Sequence, residues 1–446
     1  MPSLWYATKT VFSTLALTVG IAWLRPPIAL APEWVSAHPT LAQIDRANSV
    51  DDLHQLRSQI QTEIKSLPQL TYARDMGVIA PYLTLSQLTF RLSQSIAFEE
   101  DAKATYGRAI ELADQAVALH QSGDRTLASL QQQEFLWGAA IRKLAAVEAD
   151  SVLAAQAASK VEQYQQILRP IERQVDAQQS GFLEAIAGQL GPAEDVRIVV
   201  CQLDSRECRS FQGDVPPASP ASLIKLPIAI ALMQRVTEAG IDLDEKIYID
   251  PGNFTENADG AKIFVDREYA LREVMARMIK ESNNIATNQL IDYLGRDYIN
   301  QTFRELGFPV TFVDYKLVGD STFPKNAGSK SNRSTARELT EMMRRIYSFE
   351  IAGDAELLDA LVGQYDWDFG YQALQNAGPA VHWIGEKTGQ NSKVIGSTLA
   401  VKIGEERYVM TVTIDHSANQ IRLRQIIRDV ADHILENGPL DDSRQR

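Results

Sequence analysis

At Gly181 the period of the hydrophobic pattern changes, and no single kind of layer satisfies both halves of the chain. Upstream, from about Ser49 to Gln178, apolar residues recur at helical spacing. In VDDLHQLRSQIQTEIKSL, Leu53, Leu56, Ile60 and Ile64 fall three or four apart, one stripe of an amphipathic helix. Ser49 or Asp51 suits its start and Pro68 follows its end. Similar periodicity runs through Tyr82 to Phe98, Ala104 to Leu119, Ala128 to Ala149 and Val152 to Val175. Gly123 with Asp124 marks a turn, and Pro170 is expected to break or kink the last helix. These read as consecutive antiparallel helices. Their lengths are those of helical-hairpin repeats but carry no repeat signature, so the expectation is an all-α bundle or spacer over residues 45–178. No cluster of His, Cys and carboxylates at metal-ligand spacing occurs in it.

Downstream, a short helix in GFLEAIAGQL ends at Gly191-Pro192. Two runs then read as strands, Arg197 to Leu203 and Cys208 to Gln212, joined by a polar turn. Further helices follow, then a Gly/Ser/Asn-rich loop from Gly319 to Ser334, alternating strands from Val394 to Asp415, and a helix from about Asn419 to Glu436. Strands at both ends with helices between predict one antiparallel sheet closed by its first and last segments, an α/β layered domain over residues 181–438. Cys201 and Cys208 are the only cysteines. With the turn centred on Asp204-Ser205 they face each other across a hairpin and can form a disulfide; a one-residue slip leaves two free thiols.

The formal net charge of −13 argues against nucleic acid as the main partner, because phosphate binding needs a cationic face. At the N-terminus, Lys9 precedes the apolar run Val11 to Leu24, and Arg25-Pro26-Pro27 follows. The run is shorter than the roughly 20 residues a membrane span needs and suits a signal peptide. Ala29-Leu30-Ala31 offers small residues for cleavage, but Pro32 would hinder the cut. Residues 1–31 therefore read as a cleaved leader or an uncleaved anchor, with a buried core helix as the plain alternative. Either export reading places the remainder in the periplasm or otherwise outside the cytoplasm.

The stretch PPASPASLIKLPIAIALMQRV puts one serine and one lysine at the mouth of an apolar helix. Three residues apart, Ser222 and Lys225 share a helical face, so the amine can reach the hydroxyl. A serine is a poor nucleophile until a base takes its proton. The positive helix N-terminus and burial both push the lysine towards its neutral, basic form. Pro227 is tolerated only if the helix begins near Ser222. Two further segments carry matching chemistry: Ser282-Asn283-Asn284 and Lys387-Thr388-Gly389. A second Ser-x-Asn, Ser417-Ala418-Asn419, falls after the Lys-Thr-Gly and so out of order.

Taken in order, Ser-x-x-Lys, Ser-x-Asn and Lys-Thr-Gly resemble the signature of penicillin-recognising serine enzymes, the class A β-lactamases and penicillin-binding peptidases. The intervals, 282 − 222 = 60 and 387 − 222 = 165 residues, are similar to the compact class A spacing. The resemblance covers about Gly181 to Gly438 and leaves the helical half outside. It implies an α/β, class A β-lactamase-like fold, an antiparallel sheet with helices plus an all-helical subdomain, preceded here by an all-α region.

The resemblance also implies roles. Ser222 would attack a carbonyl and become acylated, with Lys225 as its base. Ser282 would relay a proton to the leaving nitrogen, and Asn284 would orient the substrate amide and Lys225. Lys387 would attract a substrate carboxylate, hydrogen-bonded by Thr388. Gly389 would let its edge strand approach the substrate. The backbone N–H groups of Ser222 and Gln390 would form an oxyanion hole, each donor worth a few kcal/mol. Neither metal nor organic cofactor is called for.

Two departures stand out. Class A enzymes place a glutamate opposite the serine to activate the deacylating water. Interval matching puts that position near Val318 to Asp320, where Asp320 is the only nearby carboxylate and equally suits a turn after Gly319. The middle residue of the second motif is Asn283 where class A enzymes usually carry Asp. The first reading is thus an exported serine hydrolase acting through an acyl-enzyme on β-lactam or D-alanyl peptide amides, substrates of the β-lactam or peptidoglycan type. The alternative is a catalytically degenerate peptidoglycan-binding or sensor module, with the helical half as a protein-interaction scaffold.

Overall fold

The computed structural model describes residues 38–67, 76–256, 262–319 and 321–440. The leader or anchor expected over residues 1–31, and Asp320, lie outside the described residues. Among the described residues no helix is long and apolar enough to cross a membrane. The chain divides into two compact units between Arg173 and Gln174.

The first unit is helical: α1 (Pro39–Ile44), α2 (Val50–Ser66), α3 (Met76–Gln121), α4 (Leu127–Ala145) and α5 (Ala154–Gln179), with the division falling inside α5. Ser49 caps α2 by accepting from the Asp52 N–H, and Leu53 and Ile60 meet Leu85, Leu88, Leu92 and Ile96 of α3 in one buried cluster. Two helices expected over Tyr82–Phe98 and Ala104–Leu119 are one. The residues between them, Glu99 to Lys103, hold no Gly or Pro and are mostly good helix formers, so nothing stops propagation. Glu99 is buried and accepts from the Ser151 hydroxyl at 2.8 Å and the Val152 N–H at 3.2 Å. Pro170 does not end α5, which continues to Gln179.

The second unit is a three-layer arrangement. After α6 (Gly181–Gly188), β1 (Val196–Gln202) and β2 (Cys208–Phe211) form a hairpin with Cys201 directly opposite Cys208, and the two are disulfide-bonded. Then follow α7 (Lys225–Ala239), a small hairpin of β3 (Lys246–Tyr248) and β4 (Glu268–Ala270), and α8 (Leu271–Lys280), α9 (Asn284–Leu294), α10 (Arg296–Glu305), α11 (Ala336–Tyr347), α12 (Asp354–Val362) and α13 (Gly370–Leu374). The chain closes with β5 (Val381–Gln390), β6 (Val394–Ile403), β7 (Glu406–Asp415) and α14 (Gln420–Asn437). The antiparallel sheet has the order β2-β1-β7-β6-β5, so the first strand pairs with the last and β5 lies at an edge.

Both faces of the sheet are covered, which is why β1 is buried at every position. Val199, Cys201 and Leu203 face a core built with α7 to α12, while Val196, Ile198 and Val200 face one built with α6, α13 and α14. Helix α7 runs through the larger core, buried at every position from Lys225 to Met233, so LPIAIALM has apolar neighbours on all sides. Ile228→Ala, at a position with no exposure, should lower stability by about 2–5 kcal/mol. The check is a fall in the urea midpoint with an unchanged slope.

Candidate active site

Ser222 sits in a single 3₁₀ turn, Ala221–Ile224, that feeds directly into α7. Pro227 is the third residue of α7, where the helix has no use for a backbone N–H, so the helix starts at the lysine as its sequence demands. Lys225 is wholly buried. Its Nζ lies 3.1 Å from Ser222 Oγ, 3.0 Å from Ser282 Oγ and 2.8 Å from Asn284 Oδ1, and it donates to the Ser282 carbonyl. Ser282 reaches it from the turn between α8 and α9, held at φ +54°, and Ala221 beside the nucleophile is at φ +44°. Positive φ at non-glycine residues costs of order 1–3 kcal/mol each, and here two such residues flank one hydroxyl pair.

Asn283, in the place where an aspartate was the family expectation, is fully buried and caps α9, its Oδ1 accepting from the Ala286 N–H at 2.8 Å. Asn284 spans the site: its Oδ1 takes Lys225 and its Nδ2 donates to the Glu256 carbonyl at 3.0 Å. The Glu256 carboxylate in turn accepts from Ser321 Oγ, Thr322 Oγ1 and Thr322 N–H, and these hydrogen bonds hold its pKa down to about 2.

The two lysines differ in electrostatics. Burial, and secondarily the neighbouring Lys387, hold Lys225 well below the ordinary lysine range. Burial lowers Lys387 to about 8, against the opposing pull of Asp366 and Glu386. Lys387 Nζ lies 3.2 Å from Ser282 Oγ and donates to the Thr388 carbonyl at 2.8 Å, so the Ser282 hydroxyl stands between two amines. The adjacent Glu386, also buried, accepts from Ser397 Oγ at 2.6 Å and from the N–H groups of Gly370 and Tyr371. Burial outweighs those bonds and raises its pKa to about 7.

Strand β5 lies against the serine turn. A Cβ on Gly389 would stand 2.9 Å from Leu223 N and 3.2 Å from Ser222 N, so only glycine permits this approach. The result is a cleft of about 380 Å³ lined by Ser222, Ser282, Asn284, Thr388, Gly389 and Gln390, with Lys225 and Lys387 buried behind it. Eight of the nine residues named from the sequence thus converge; Asp320 is the ninth. Its described neighbours Leu317, Val318 and Gly319 carry no carboxylate, and Asn288 grips Leu317 through both backbone N–H and carbonyl.

Sequence reasoning missed Lys280, Glu281, Gln364, Tyr365 and Asp366, which also line the cleft. Glu281 was within reach as the neighbour of Ser282. The segment Gln364 to Asp366 belongs to no motif and is brought in by the fold alone. Glu281 is already committed, accepting from Arg277 and from the Lys262 N–H. Among the described residues no group of three or more His, Cys, Asp and Glu is placed to hold a metal ion.

Comparison with known proteins adds to this geometry. The family described as "Beta-lactamase enzyme family" matches residues 182–437. A protein named "Beta-lactamase" from Bacteroides uniformis is 26% identical over 178 residues, 39% of this chain and 60% of the relative, so the chain spans about three-fifths of that protein. Among solved structures, the TLA-3 extended-spectrum beta-lactamase aligns with a TM-score of 0.50 and 12% identity over 58% of this chain and 99% of its own, a likeness of fold. The structure of PBP-A aligns with a TM-score of 0.48 and 25% identity over 58% of this chain and 95% of its own.

The Glu386 carboxyl generates a pH signature. Folded, it keeps its proton up to about 7, whereas the unfolded chain releases it near 4.5. Its contribution to stability is therefore complete below 4.5 and is lost as pH rises to about 7. Urea titrations across that interval should show a decline in the wild type that Glu386→Gln flattens.

Proposed function

The chain belongs to the beta-lactamase enzyme family, with the class A β-lactamase-like fold, and on that premise we propose that it is a serine acyl-transferring hydrolase whose nucleophile is Ser222. The observation that carries this reading is the wholly buried Lys225 amine, within 3.1 Å of Ser222 Oγ and 3.0 Å of Ser282 Oγ.

A neutral amine donates two hydrogen bonds and keeps one lone pair. Asn284 Oδ1 and the Ser282 carbonyl take the donors, leaving the lone pair for a hydroxyl proton. Lys225 removes the Ser222 proton as Oγ bonds to the substrate carbonyl carbon, and the oxyanion rests against the N–H groups of Ser222 and Gln390. When the C–N bond breaks, the Ser282 hydroxyl gives its proton to the leaving nitrogen and is reprotonated from a lysine beside it. Lys387, cationic below about 8, attracts the substrate carboxylate with Thr388. Its charge also helps keep Lys225 neutral, so the two lysines divide the work of base and anchor.

For the second half-reaction the described residues of the cleft offer few bases. The described carboxylates lining the cleft are Glu281, already engaged, and Asp366. This supports a long-lived acyl-enzyme with penicillins and a peptidase-like reaction on D-alanyl peptides. In the same reading the protein is exported, attached or released through residues 1–31, and residues 45–178 serve as a spacer or partner-binding bundle ahead of the hydrolase domain, 181–438.

Intact-protein mass after penicillin treatment tests the proposal. An adduct of one penicillin is expected on the wild type, persisting for hours, and none on Ser222→Ala. An unmodified wild-type mass would falsify the assignment. Lys225→Ala should slow acylation by roughly 10²–10⁴-fold. In the wild type the acylation rate should climb with pH as Lys225 loses its proton, with a midpoint well below that of a free lysine.

A further inference from the structure

One stretch of the cleft lining belongs to none of the three motifs. The turn after α12 places Gln364, Tyr365 and Asp366 in the lining, and the Tyr365 N–H donates to the Lys280 carbonyl at 2.9 Å, two residues before Ser282. Gln364 is 1% exposed, and its Oε1 accepts from the Tyr365 and Asp366 N–H groups. Its Nε2 has no protein partner although it is buried at the cleft wall. An unpaired buried amide donor is costly unless a ligand or water accepts from it.

Beside it stand two aromatic rings that the fold leaves open, Tyr365 at 62% and Trp367 at 57% exposure. Trp367 is nonetheless fixed in place. Its indole N–H donates to the Gln364 carbonyl at 2.6 Å, and its ring leans on Tyr371 at 5.3 Å, which meets Trp383 edge-on at 5.5 Å. A ring already immobilised loses little entropy when a ligand covers it.

We propose that this wall is a carbohydrate subsite that holds an N-acylated aminosugar of a glycan strand while the attached peptide lies at Ser222. The reading rests on the peptidoglycan-type substrate proposed above. Rigid aromatic faces are electron-rich and accept the C–H face of a pyranose. The sugar's edge groups then need an acceptor for a hydroxyl, which the Asp366 carboxylate in the lining supplies, and a donor for the acyl carbonyl, which the unpartnered Gln364 Nε2, shielded in the empty cleft, supplies when its side chain turns towards the ligand. An exposed Trp beside a polar pair is a poorer match for a lipid chain, which has no edge groups to satisfy them.

Calorimetric titration with a peptide-free oligosaccharide of alternating N-acetylglucosamine and N-acetylmuramic acid tests the subsite. Using Ser222→Ala as the host keeps acylation out of the measurement. Saturable binding is expected, weakened about tenfold or more by Trp367→Ala and less by Trp367→Phe, as for an aromatic anchor. On the wild-type background, Trp367→Ala should leave the penicillin acylation rate unchanged. The subsite is overturned if the oligosaccharide does not bind, if Trp367→Ala leaves its binding unchanged, or if that variant weakens only binding of a free stem peptide. Sugar binding by a protein that penicillin fails to label would remove the catalytic reading and leave the subsite standing.

Discussion

A lysine amine with no exposure to water is the constraint around which the second unit is organised. As an ammonium in that position it would carry a heavy desolvation cost, and the protein relieves the cost by favouring the neutral form. The partners around it come from two separated pieces of chain: the serine turn, and the Ser282 corner that leads into the first residue of α9. Lys387 approaches the same hydroxyl from β5 and contributes a like charge to the same end.

Such an arrangement needs a frame that tolerates strain. Ala221 and Ser282 are both at positive φ, and β5 passes the nucleophile closer than any side chain would allow. The frame is the pair of cores on either side of the sheet, joined through β1, β6 and β7, whose residues alternate between them. Strained turns persist where the surrounding packing over-determines them, and α7, apolar on every side, supplies much of that packing.

Beyond the three motifs the cleft lining changes character. Gln364, Tyr365 and Asp366 in the lining bring an open aromatic face, an unpaired amide donor and a carboxylate, and the exposed Trp367 ring follows directly after them. The acylation machinery and this wall are joined by the Tyr365 to Lys280 backbone bond, so a substrate reaching both would be held at two points of one rigid element. Reaction at the amide and recognition of what carries the amide would then be separable by mutation.

Some of this was readable from the chain alone. The ordered motifs at Ser222, Ser282 and Lys387, the change of texture at Gly181 and the apolar run after Lys225 are local patterns, and local chemistry determines them. Helix α3 reads as two in the sequence because the polar stretch Glu99 to Lys103 resembles a turn, although it holds no Gly or Pro and Glu99 is buried against Ser151. The cysteine pairing waited on register, since one residue of slip sends a side chain to the other face. The raised pKa of Glu386, the depression of Lys225 and the entry of Gln364 to Asp366 into the cleft were decided only by tertiary structure. Each depends on what becomes buried beside what, and burial is a property of segments brought together across long stretches of chain, which no spacing along the sequence encodes.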